Sequence, residues 1–85
     1  MPRNLVVYTL IVLFNFSCDL TSPEEYYDLA IEQVDEGNYQ EAIELLNKAI
    51  GKRHKFRPAL LQRGFCKMQL ERDLEAVEDF ESLLK

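Results

Sequence analysis

Gly37-Asn38-Tyr39-Gln40-Glu41-Ala42-Ile43, running on to Ala49 and Ile50, places a helix stop, a helix start and an apolar helix face in direct succession. Gly37 suits the left-handed conformation that closes a helix. Asn38, with Glu41 three places later, is a start signal for the next one. Ala42, Ile43, Leu46, Ala49 and Ile50 then recur at the spacing of one apolar helix face. Lys48, Lys52 and Arg53 follow toward its C-terminal end, where the peptide dipoles favour cations.

Upstream, Ser22-Pro23-Glu24-Glu25 combines a capping hydroxyl, a proline preset for the first helical turn and a glutamate that completes a capping box. Downstream, Phe56-Arg57-Pro58 restarts a helix in the same way, with Phe56 placed to pack on Leu61. Asp73 to Phe80 then supplies a further helix. The pattern predicts helices over 24–36, 40–51, 58–70 and 74–84, with a linker over 51–57. It also repeats: Ala30 and Gly64, Ala42 and Ala76, and Leu46 and Phe80 are pairs that share one and the same offset along the chain.

That offset of about 34 residues, carrying a turn glycine and small residues at fixed phase, resembles the period of the tetratricopeptide repeat. Tyr26, Leu29-Ala30, Tyr39 and Ala42 occupy signature positions of that family. Gln33, where an aromatic is usual, and His54, where proline is usual, depart from it. In the second copy Glu71 replaces the turn glycine, and either takes a strained backbone conformation or shifts the turn. Arg63 and Lys67 replace apolar residues and are expected to snorkel to solvent. Cys66 falls where something small is wanted, as a buried, inert thiol.

The resemblance implies an all-α fold of two helix-turn-helix hairpins, four helices in a right-handed solenoid fragment, with repeats over 23–56 and 57–85. It implies a role in protein–protein interaction and no cofactor. In the family, one stripe of each first helix lines the concave groove that holds peptides. Here those positions are Tyr27, Ile31 and Val34, matched one period later by Leu61, Phe65 and Met68. The alternative is that the same stripe is core. The Lys/Asn/Arg set that clamps terminal carboxylates in some members is absent, its positions holding Tyr27, Ile31, Gln62 and Phe65. Solenoid units normally need three or more copies. Two copies therefore leave two expectations, an adaptor that docks or self-associates and a structural fragment that completes a larger array and binds no peptide.

The N-terminus reads differently. Arg3 precedes Leu5 to Phe14, a run interrupted only by Thr9, and Asn15-Phe16-Ser17-Cys18 follows. A basic start, a short apolar run and a small residue before the break form a signal-peptide pattern over 1–17. The run falls short of the roughly 20 apolar residues of a membrane-spanning helix. Ser17-Cys18 resembles the end of a bacterial lipoprotein signal, although Asn15 and Phe16 depart from its preferred residues. That resemblance implies lipidation of Cys18, a tether over 18–22 and attachment at the cell envelope. A soluble exported protein, an uncleaved signal anchor and a core element are the alternatives.

A net charge of −5 over 85 residues argues against nucleic acid as a partner, since phosphate neutralisation needs excess Lys and Arg. The single histidine, His54, has no partner for a metal site and reads as a solvated loop residue. Two cysteines, Cys18 and Cys66, give no CxxC, and spacing alone does not pair them. No glycine-rich phosphate loop or nucleophile–base pair is evident, so no enzymatic activity is expected. Charge is blocked along the chain: acidic from Asp19 to Glu44, basic from Lys48 to Lys67, and mainly acidic from Glu71 to Glu81. The blocks suit pairing between neighbouring helices, or a basic strip facing anionic lipid headgroups.

Overall fold

In the computed structural model, residues 19–85 are described; the signal-like segment and Cys18 lie outside them. The described residues form four helices and no strand: α1 (Pro23–Asp35), α2 (Tyr39–Lys52), α3 (Arg57–Gln69) and α4 (Asp73–Ser82). Each packs on the next in chain order. The four agree with the expected ones to within a residue or two, and Gly51 belongs to α2 rather than to the linker.

The helix ends follow from local chemistry. The Ser22 hydroxyl accepts from the Glu25 N–H at 3.0 Å, and Pro23 occupies the first turn of α1. At the other end Gly37 takes φ +79°. Its N–H donates to the Val34 carbonyl at 2.9 Å, and the Asn38 N–H to that of Gln33 at 2.8 Å. This pair of bonds is the Schellman closure. The end of α3 repeats it at the equivalent positions of the second hairpin. The Glu71 N–H donates to Met68 at 2.9 Å and the Arg72 N–H to Lys67 at 2.8 Å, with Glu71 at φ +61°. Of the two expectations for Glu71, the turn has kept its geometry and the residue has taken the strained conformation.

Asn38 does not cap α2 with its side chain, contrary to the expectation. Its amide instead turns back on α1, donating to Gln33 Oε1 at 3.0 Å and Glu36 Oε2 at 3.2 Å. These bonds brace the turn from the side chain as the Schellman bonds do from the backbone.

The core consists of Tyr26, Ala30, Ala42, Ile43, Leu46, Ala49, Ala59 and Cys66. Four of these are alanines, and small residues allow helix axes to approach closely. Gly64 serves that purpose at the α3–α4 contact, where the Phe80 ring lies 2.5 Å from the position a Cβ would take. Cys66 is fully enclosed, and burial pushes its thiol above the ordinary cysteine range, where it is unreactive.

Candidate functional site

The stripe singled out in the sequence divides into two halves. On α1, Tyr27, Ile31 and Val34 are half-buried, and Tyr27 and Val34 pack against the core. On α3, Leu61, Phe65 and Met68 are open to solvent, at 50%, 39% and 49% exposure. Aromatic contacts join these faces to their neighbours. The Tyr39 ring of α2 stands edge-on to Phe65 at 6.1 Å, and Phe56, just before α3, tilts against Tyr27 at 5.6 Å. The α3 half is thus an apolar ridge with one flank held by Tyr39, while the α1 half is partly built into the core.

Arg63 and Lys67 correct the expectation that they reach solvent. Both turn inward onto Asp79 of α4, which is only 3% exposed. Arg63 grips it with two bonds, Nε to Oδ2 at 3.0 Å and Nη2 to Oδ1 at 2.6 Å, and Lys67 Nζ lies 3.0 Å from Oδ2. Arg63 also donates from Nη1 to Asn47 Oδ1 of α2 at 2.9 Å, so one guanidinium ties three helices together. Burial alone would raise the Asp79 carboxyl, but the Arg63 and Lys67 hydrogen bonds and charges outweigh it and hold it below the ordinary carboxylate value. The signal for this cluster was the misplaced cations themselves: two charges at packing positions facing an acid one helix away.

The start of α1, the end of α2, the start of α3 and the end of α4 meet at one end of the bundle. Arg53 pairs with Glu24 there. Lys52 donates to the backbone carbonyls of Asp19 and Thr21 and lies 3.4 Å from the Asp19 carboxylate. The Tyr26 hydroxyl donates to Asp19 as well. That bond chiefly, with those from the Thr21 N–H and Lys52, holds the Asp19 carboxyl far below its usual range against a smaller opposing effect of desolvation. Lys48 and Lys52 also lie over the Tyr26 ring, at 5.7 and 5.6 Å. The expected tether is therefore fastened to the domain from Asp19 onward.

Beside this anchorage an open cleft of about 460 Å³ has Ile50 and Leu60 among its walls and His54, Lys55, Arg57 and Arg63 around it. Sequence reasoning saw the basic block that supplies these groups but not that it frames a concavity.

Among the described residues, no cluster of three His, Cys, Asp or Glu side chains is placed to hold a metal ion, and no helix is long and apolar enough to cross a membrane. In comparisons with known proteins, the chain matched no family model, no curated protein and no solved structure.

Proposed function

We propose that the chain is a small interaction module of tetratricopeptide type, acting as an adaptor and not as an enzyme. The observation that carries this reading is the open Leu61–Phe65–Met68 ridge, at the phase where such repeats meet peptides. Three further features support it. The two helix-closing turns make the same hydrogen bonds at equivalent positions of the two hairpins. Ala30 and Gly64, and likewise Ala42 and Ala76, are buried at equivalent positions. Leu46 is fully enclosed, and its counterpart Phe80 fills the contact with Gly64. In this reading the module is exported behind residues 1–17 and fixed to a bacterial envelope membrane through a lipid on Cys18. Its partner is another protein or peptide of extended or helical form. Intact mass of the mature protein tests the anchorage: a chain beginning at Cys18 with added acyl mass supports it, and any other N-terminus contradicts it.

A specific observation favours a second reading. On α4, Leu74 and Val77 are 84% and 49% exposed, and Leu84 beyond it 88%. This is the edge on which a further repeat or a second copy would stack, as in a structural fragment of a larger array. Light scattering on the wild type and on Leu74→Lys separates the two. An assembly that the substitution dissolves favours stacking, and a monomer in both favours the adaptor.

A further inference from the structure

We propose that the end of the bundle bearing the α2–α3 turn docks on an anionic phospholipid surface. The domain is electrically polarised. The end formed by the α1–α2 and α3–α4 turns carries Asp35, Glu36, Glu41, Glu71, Asp73 and Glu75, with Arg72 the cation among them. The opposite end carries the basic run from Lys52 to Arg57, which no acid interrupts, with Glu25 at the start of α1 and Glu81 and Lys85 at the end of α4. Its first two members are offset, Lys52 by Asp19 and Arg53 by Glu24. Lys55 and Arg57 are exposed and make no ion pair among the described residues. They stand over the open cleft with His54.

The polypeptide also enters the domain at this end, because Tyr26 and Lys52 hold Asp19 there. In sequence, the apolar run from Leu5 to Phe14 ends five residues before Asp19. Lys55, Arg57 and the first described residue, Asp19, therefore share one end of the bundle; the exposed acids at that end, Glu25 and Glu81, belong to the first turn of α1 and the last turn of α4 and not to the α2–α3 turn. An anionic bilayer suits both features: headgroup phosphates meet Lys55 and Arg57, and the hydrocarbon ahead of Asp19, the apolar run in the full chain or the lipid on Cys18 in the proposed mature form, enters the bilayer. The acidic end is repelled by the same surface, which fixes the orientation. Each basic residue near such a surface strengthens binding by about fivefold at low salt. A nucleic acid offers phosphates but no hydrocarbon, and the overall negative charge opposes it.

The test uses the full chain, whose apolar segment gives some binding to any bilayer, so the quantity measured is the excess for anionic lipid. Partition is compared between vesicles of phosphatidylcholine alone and vesicles containing one third phosphatidylglycerol. At about 50 mM salt the wild type is expected to favour the anionic vesicles by about tenfold or more, an excess lost at about 500 mM. Lys55→Glu with Arg57→Glu should abolish the excess and leave phosphatidylcholine binding unchanged. Lys55→Gln, at an exposed turn position without an ion-pair partner among the described residues, should reduce it by about fivefold and serves if the double variant loses its helices. Three results would overturn the proposal: no wild-type excess, an excess that survives both variants, or one removed by inorganic phosphate but not by chloride of equal ionic strength. The last would assign the cleft to a free anion. Phe65→Ala should leave the excess intact, so failure here is separable from failure of the adaptor reading.

Discussion

The Phe80 ring lies across the backbone of Gly64, with Cε1 2.5 Å and Cζ 2.8 Å from where a Cβ would stand. The missing side chain lets α3 and α4 close on each other, and Phe80 fills the space it leaves. In the first hairpin the equivalent residues, Ala30 and Leu46, are both fully buried in the core. Gly64→Ala should therefore destabilise the protein by about 1–2 kcal/mol net, an overpacking cost of about 2–3 kcal/mol exceeding the helix-propensity gain of about 1 kcal/mol. Gly51, also helical, has nothing within 4 Å of a Cβ position. Gly51→Ala should stabilise by about 0.5–1 kcal/mol. Denaturant melts of the two variants should move in opposite directions.

Glu71 and Gly37 hold the same left-handed turn conformation, but only one of them is suited to it. Glu71→Gly should relieve about 1 kcal/mol of backbone strain, partly offset by the greater freedom of glycine in the unfolded chain. A net gain of about 0.5 kcal/mol is expected. Gly37→Ala introduces the same strain in the first hairpin and should cost about 1 kcal/mol. Thermal melts check both. A fall in stability on Glu71→Gly would mean that the glutamate side chain contributes more than its backbone costs.

Asp79 should govern part of the acid sensitivity of the fold. Its folded carboxyl lies below the ordinary value, so its contribution is complete above the unfolded value of about 3.9 and is lost as pH falls through the lower folded one. Asp79→Asn should cost about 3 kcal/mol at neutral pH, because Arg63 and Lys67 lose their counter-ion in a largely dry setting. The melting temperature of the wild type should drop between pH 5 and pH 2 more steeply than that of the variant. Parallel curves would show that Asp79 does not titrate with unfolding.

Much of the fold was legible because its signals are local. Gly37, the Ser22-Pro23 start and the helical spacing of Ala42, Ile43, Leu46 and Ala49 each act within a turn or two of chain. The misreadings arose where a side chain had a choice of partner. Asn38 takes Gln33 and Glu36 over the helix N-terminus, since the Schellman closure brings those acceptors within reach. Arg63 and Lys67 turn inward because Asp79 is available on α4, a pairing set by the packing of two helices and not by either sequence alone. The stripe was legible as a set, but its division into a half-buried α1 part and an open α3 part depends on Tyr39 and Phe56, which belong to other segments.

Processing offers a separate check on where the module works. Cys18→Ala should leave the precursor uncut and unacylated, seen as retention of residues 1–17 in the intact mass. Normal cleavage of the variant would remove the lipid-anchor reading while leaving the groove reading untouched.

A Phe65 ridge that serves contact and not folding should respond to Phe65→Ala in binding and not in stability. At 39% exposure, with its edge-on contact to Tyr39, Phe65 should contribute only about 1 kcal/mol to stability. The variant should melt within a few degrees of wild type and lose a partner that the wild-type protein binds from envelope extract. A loss of about 3–5 kcal/mol, enough to unfold a domain of this size, would place Phe65 in the core and rule out a contact role. Retention of every wild-type partner by a folded Phe65→Ala protein would contradict it equally.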